Sequence, residues 1–92
     1  MVDYIFAAFR SRTHTLQFVD ILKRNRIECY TITTPKEAGV GCGLSVKFAE
    51  YNYSAVKNIL RRYNFDSFAG FFSVEHKYGR IFTKVKLILK RY

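Results

Sequence analysis

The order of extended and helical segments constrains the fold of this 92-residue chain more than any other feature of its sequence. β-Branched and aromatic content, or alternation of apolar with polar side chains, predicts strands at residues 2–9, 27–33, 44–49, 65–75 and 81–89. Two stretches between them space apolar residues three and four apart, which indicates amphipathic helices. The predicted order is strand, helix, strand, strand, helix, strand, with one further strand at the C-terminus.

Both predicted helices have recognisable starts and apolar faces. Ser11 or Thr13 is a suitable N-cap for the first helix, which we expect to continue to about Asn25. Its expected apolar face consists of Leu16, Phe18, Val19, Ile21 and Leu22. Asn52 or Ser54 is the expected cap of the second helix. Its expected apolar face consists of Val56, Ile59, Leu60 and Tyr63.

This order of elements is that of the α+β, ferredoxin-like βαββαβ sandwich, here with an added C-terminal β-strand. We expect a single domain over residues 1–92, with a core over 1–76 and a basic extension over 77–92. In this fold the turn after the first strand, the hairpin between the second and third, and the entry to the fourth lie at one end of the sheet. Residues 10–14, 34–42 and 64–67 are therefore expected to converge.

Charge and apolar content limit the partners and the compartment. Sixteen Lys and Arg against seven Asp and Glu give a formal net charge of +9, which attracts nucleic acid, nucleotides or acidic protein surfaces. No apolar run approaches the roughly 20 residues of a membrane span, and the N-terminus lacks the basic start of a secretory signal. We therefore expect a cytoplasmic protein without a membrane partner; the sequence specifies no oligomeric state.

Cys42 stands between Gly41 and Gly43 in a loop that precedes an alternating apolar run. Glycine permits close approach of another molecule and lets neighbouring backbone N–H groups turn toward the sulfur. The alternative is that the glycines only satisfy a hairpin turn and that Cys42 is a small hydrophobic residue. The loop therefore offers either a reactive thiol or an ordinary turn.

The other chemical groups suggest few additional sites. Cys29 lies within a strand pattern, and we expect it to be buried and structural, unpaired with Cys42, which should lie opposite about Thr34. The spacing of the two cysteines and two histidines does not suggest a metal site, and we expect no cofactor. Paired carboxylates, a nucleophile elbow and a phosphate-binding Walker loop are also absent from the sequence.

Three short motifs carry a family resemblance over about the first three-quarters of the chain. They are Phe9-x-Ser11-x-Thr13-His14, Thr34-Pro35-Lys36-Glu37, and Cys42-Gly43-Leu44 followed by a strand ending in Phe48. Together they resemble the selenium/sulfur carrier-like family of small bacterial proteins. On this resemblance Cys42 corresponds to the family cysteine, Gly43 to the glycine that follows it, and Pro35 to the loop proline.

The resemblance implies that Cys42 holds sulfur or selenium, as a persulfide or selenosulfide, between donor and acceptor proteins. The expected stabilisers of its thiolate are the start of the first helix, Arg10 or Arg12, and Lys36. His14 is a candidate proton donor, or else an ordinary surface or capping residue. The remaining candidate binding residues are Ser11, Thr13, Pro35, Gly41 and Gly43. We expect a carrier or binding protein rather than a classical enzyme.

Two other classes of function fit the same sequence. The helix start and the loop glycines, with Arg12 and Lys36, could hold a phosphate or another anion. A ferredoxin-like sheet can also stack nucleic-acid bases on surface aromatics. The candidate rings are Tyr4, Phe6, Tyr30, Phe68, Phe71, Phe72 and Phe82. A protein-interaction domain without chemistry, with the last two strands as a dimer edge, is the third alternative.

Overall fold

The computed structural model describes residues 2–40, 42–77 and 82–89. In chain order its elements are β1 (Tyr4–Phe9), α1 (Arg12–Arg24), β2 (Cys29–Thr33), β3 (Leu44–Phe48), α2 (Tyr53–Leu60), β4 (Phe68–Lys77) and β5 (Phe82–Leu89). Short 3₁₀ turns at Lys36–Ala38 and Glu50–Asn52 precede β3 and α2. All seven predicted elements are therefore present.

The strands form one five-stranded sheet in the order β2-β3-β1-β4-β5, and each neighbouring pair is antiparallel. α1 connects β1 to β2, and α2 connects β3 to β4, which is the ferredoxin-like connectivity. β5 extends the sheet beside β4. The structure confirms the predicted α+β fold with an added strand.

Both helices pack on one face of the sheet. Ile5, Ala7 and Phe9 of β1 share a buried cluster with side chains of α1 and α2. The helical members of this cluster are Phe18, Ile21, Leu22, Val56, Ile59 and Leu60. Leu16, which was expected on the apolar face of α1, is 48% exposed, because the helix turns Thr15 inward instead.

The opposite face of the sheet is also covered. Phe6, Phe72 and Val74 are buried there, and the rings of Phe6 and Phe72 stack with 5.0 Å between their centroids. Ala38 and Val40 from the loop before β3, together with Val85 of β5, pack against this cluster. β1 is therefore covered on both faces, which explains its almost uninterrupted apolar sequence.

The pairing of β4 with β5 is irregular near Gly70. Gly70 has a φ of +140°, and a Cβ there would lie 3.0 Å from Cδ1 of Leu87 and 3.1 Å from the carbonyl oxygen of Leu89. The register shifts between Phe71 and Phe72, so that Ile88 is an extra residue on β5, as in a β-bulge. Such a bulge bends the strand and increases its local twist.

Candidate functional site

Cys42 lies at the end of the sheet where β1 stops and α1 begins. It is exposed, and its backbone N–H donates a hydrogen bond to the carbonyl oxygen of Phe9 over 3.0 Å. Its sulfur lies 3.8 Å from Oγ1 of Thr15 and 3.6 Å from the carbonyl oxygen of Leu44. The loop cysteine is therefore anchored through its backbone while its side chain stays accessible.

Thr15 is the residue of α1 that contacts this sulfur. It is fully buried, and its hydroxyl lies 3.1 Å from the carbonyl oxygen of Ser11 and 3.3 Å from that of Leu44. The Cys42 thiol is also within donating distance of the Leu44 carbonyl. Thr15 thus connects the first turn of α1 to both the loop and β3.

The start of α1 is capped by Ser11, one of the two N-cap residues that the sequence predicted. The Ser11 backbone is extended, and its Oγ accepts a hydrogen bond from the backbone N–H of His14 over 3.1 Å. Arg12 and Thr13 are exposed in this first turn, which contains no acidic residue. The partial positive charge of a helix start is therefore not offset by a carboxylate within the turn.

His14 is directed to a different part of the same end of the sheet. Its Nδ1 lies 2.6 Å from Oγ of Ser67 and 3.9 Å from Oδ1 of Asp66, and its ring meets Phe65 edge-on. The backbone N–H of Arg10 donates to the carbonyl oxygen of Ser67 over 2.8 Å. The three predicted segments do converge, but the contacts of His14 are with the entry to β4 rather than with the sulfur.

The loop before β3 forms a shallow depression of its own, with a volume of about 300 Å³. Pro35 precedes the 3₁₀ turn that Lys36 begins, and Gly39 ends that turn with a left-handed φ of +64°. The residues that line the depression are Thr34, Pro35, Lys36, Gly39, Val40 and Gly43. Gly41 lies outside the described residues. Pro35, Lys36 and Gly43 therefore share a surface that does not include Cys42.

Cys29 occupies a contrasting environment. It is 4% exposed and lies opposite Phe48, not Cys42, in the β2–β3 pair. Thr34, which was expected about opposite Cys42, donates its N–H to the carbonyl oxygen of the next residue, Gly43. Both cysteines are free. Burial raises the pKa of the Cys29 thiol, with a smaller lowering effect from Lys23. Of the two thiols, Cys42 is the accessible one.

Most of the rings considered for nucleic-acid stacking are buried. Phe6, Phe68, Phe71 and Phe72 are each at most 8% exposed, whereas Tyr30 is exposed at the β2 edge. The side chain of Phe82 lies outside the described residues. Because stacking needs an open ring face, these four phenylalanines offer no platform for bases in this conformation.

Residues 2–40, 42–77 and 82–89 contain neither a metal site nor a membrane-spanning helix. No group of three or more His, Cys, Asp or Glu side chains there is arranged to hold a metal ion. No helix in the same ranges is long and apolar enough to cross a membrane.

The sequence of the chain matches a known protein family. Residues 4–69 match the family described as "Putative Se/S carrier protein-like". The chain belongs to this Se/S carrier-like family. The match includes α1, the Cys42 loop and β3, and it ends within β4, before β5. No curated protein and no solved structure matches the chain at a significant level.

Sequence reasoning did not single out Thr15 or Ser67. Thr15 lies next to the predicted apolar face, and only the packing of α1 against β3 makes its hydroxyl a contact of the sulfur. Ser67 lies 53 residues after His14, so only the tertiary fold brings them together. Thr15 lies three residues before Phe18 and seven before Leu22, which places all three on one face of a helix. This spacing was the sequence signal that could have identified Thr15 as an inward residue.

Proposed function

We propose that this Se/S carrier-like protein holds a sulfur or selenium atom on Cys42 and passes it from a donor protein to an acceptor protein. In loading, the Cys42 thiolate attacks the outer sulfur of a donor persulfide, R–S–SH. The new S–S bond forms as the donor's S–S bond breaks, and the donor leaves as its thiolate R–S⁻. Release is the same reaction with the acceptor thiolate as nucleophile, so neither step needs an external oxidant or reductant.

The observation that carries this proposal is the position of the exposed Cys42 sulfur beside the start of α1. A thiolate is the reactive form of cysteine, and a helix start favours negative charge. Arg12 in the first turn adds a cation to the same region, and the turn has no competing carboxylate. These features support a carrier thiol at Cys42 and leave Cys29 as a buried structural residue.

Access from outside suits transfer between proteins. The exposed thiol lies at a sheet end, so another protein could bring its own cysteine to the sulfur without the Se/S carrier-like domain unfolding. We place this chemistry in the cytoplasm, where thiols are kept reduced. The donor and the acceptor are proposed to be thiol-bearing or selenol-bearing proteins.

Loading can be tested with glutathione persulfide as the donor and intact mass as the readout. We expect wild type and Cys29→Ser to gain one sulfur atom and Cys42→Ser to gain none. A loaded protein that is then mixed with an acceptor thiol should lose that atom, and the acceptor should gain it. Cys29→Ser is a suitable control because it retains a small polar group within reach of the Val19 carbonyl.

The reverse pattern would contradict the proposal. If Cys42→Ser were loaded as fully as wild type, the carrier atom would not be on Cys42. If Cys42 were loaded but did not pass the atom to any thiol, it would be an accessible cysteine without a carrier function.

A further inference from the structure

We infer that Thr15 is a positioning residue for Cys42, whose buried hydroxyl turns from backbone carbonyls to the sulfur when the thiol ionises. This inference concerns the same sulfur as the proposed function and rests on it for its biological meaning. The Thr15 hydroxyl has one proton to donate but three neighbours within reach: the carbonyl oxygens of Ser11 and Leu44 and the sulfur of Cys42.

When Cys42 is a thiol, the Thr15 hydroxyl, the Cys42 thiol and the carbonyl oxygens of Ser11 and Leu44 can all have a hydrogen-bond partner. Thr15 donates to the Ser11 carbonyl at 3.1 Å or to that of Leu44 at 3.3 Å. The Cys42 thiol donates to the Leu44 carbonyl at 3.6 Å or to the Thr15 oxygen at 3.8 Å. The Ser11 carbonyl also accepts the backbone N–H of Thr15, so it keeps a partner if the hydroxyl turns away.

Ionisation of Cys42 changes this balance. The thiolate can no longer donate to the Leu44 carbonyl, and it needs a donor of its own. Thr15 Oγ1, 3.8 Å away and fully buried, carries an O–H group that can rotate to it. A hydrogen bond to a charged group is worth more than one between neutral groups, so rotation toward the sulfur is favoured.

Three variants at one position separate the hydroxyl from the packing. Thr15→Val keeps the shape and removes the hydroxyl, Thr15→Ser keeps the hydroxyl and removes a methyl group, and Thr15→Ala is a second hydroxyl deletion if valine prevents folding. Each is made in the Cys29→Ser background, so that Cys42 is the single thiol. The readout is the rate of iodoacetamide alkylation as a function of pH, which requires no sulfur transfer.

We expect Thr15→Val or Thr15→Ala to slow the alkylation of Cys42 near neutral pH by roughly tenfold, and Thr15→Ser to stay near the parent. The titratable and charged groups of residues 10–14 and of the loop before β3 are the same in every variant: Arg10, Arg12, His14, Lys36 and Glu37. Ser45→Ala is the matched control, because it deletes another buried hydroxyl in β3 that bonds to Thr34.

The inference is overturned if folded Thr15→Val or Thr15→Ala keeps the parent profile, or if Ser45→Ala shifts it equally. Failure of this inference differs from failure of the proposed function. A wild-type protein that cannot be loaded with sulfur removes the carrier role but leaves the alkylation result standing. Normal loading with an unmoved alkylation profile removes only the role of Thr15.

Discussion

The side chains of the two cysteines lie in different chemical environments. Cys42 is exposed beside Thr15, whereas Cys29 is buried and its thiol lies 3.8 Å from the carbonyl oxygen of Val19. The sequence could anticipate this contrast, because Cys29 has strand parity and Cys42 is flanked by glycines. It could not anticipate Thr15, because a threonine in the first turn of a helix is equally consistent with a solvent-exposed position.

Burial of Cys29 predicts a pH dependence of stability. Its folded-state pKa is raised, so the folded protein holds this proton more tightly than the unfolded chain does. The free energy of unfolding should therefore fall as pH rises above about 8.5, by at most ~1.4 kcal/mol per pH unit for this group. Urea denaturation of wild type and Cys29→Ser across this range measures it. Identical slopes in the two proteins would show that Cys29 makes no such contribution.

Two glycines with positive φ should differ in their tolerance of a side chain. Gly70→Ala adds a Cβ within 3.1 Å of the Leu89 carbonyl oxygen, whereas Gly39→Ala meets nothing within 4 Å. We expect a loss of about 1–2 kcal/mol for Gly39→Ala from backbone strain alone, and a larger loss for Gly70→Ala. Chemical denaturation measures both variants. Equal losses would mean that the close approach of β5 at Gly70 is not a constraint.

Among the secondary-structure elements, local pattern predicted those whose periodicity is strong. β3 alternates cleanly, and α1 begins at its predicted cap Ser11 and ends next to Asn25. The closure of the second sheet face was not predicted, because the loop before β3 has no periodicity and its contacts through Val40 are non-local. Alternation along β5 predicted a strand but could not show which side meets Phe72 and Val74.

β5 should contribute to stability through the side chains on the face of the sheet opposite the helices. Val85 packs against the Phe6–Phe72 cluster, while Lys86 is exposed on the other side of the strand. We expect Val85→Ala to lower the free energy of unfolding by about 1–2 kcal/mol and Lys86→Ala to change it by less than about 0.5 kcal/mol. The denaturant midpoints of Val85→Ala and Lys86→Ala, each measured against wild type, report the two losses of stability. Similar effects for both would indicate that Val85 does not pack against this cluster in solution.

The whole molecule combines a family core with a strand beyond the family match. The match ends at residue 69, and the sheet continues through β4 into β5, whose Val85 packs on the cluster opposite the helices together with Ala38 and Val40. In the nucleic-acid-binding ferredoxin-like modules that the sequence invited as an alternative, that face is open for stacking. Here the stacked rings of Phe6 and Phe72 are buried on that face, and the formal charge of +9 still attracts nucleic acid.

The positive charge, together with the burial of Phe6, Phe68, Phe71 and Phe72, predicts weak, salt-sensitive association with nucleic acid. We expect any binding of single-stranded RNA to fall steeply between about 50 mM and 200 mM salt and to show no base preference. Fluorescence anisotropy with RNAs of two unrelated sequences measures both properties. Tight binding that persists at the higher salt and discriminates between the sequences would favour a nucleic-acid-binding function over the carrier function.

The most direct measurement is to locate the transferred atom in the wild-type protein. After exposure to glutathione persulfide, peptide mapping by tandem mass spectrometry reports Cys29 and Cys42 from the same sample. We predict one additional sulfur atom on the Cys42 peptide and none on the Cys29 peptide. An added atom on Cys29, or on neither cysteine, would contradict the assignment of Cys42 as the carrier thiol.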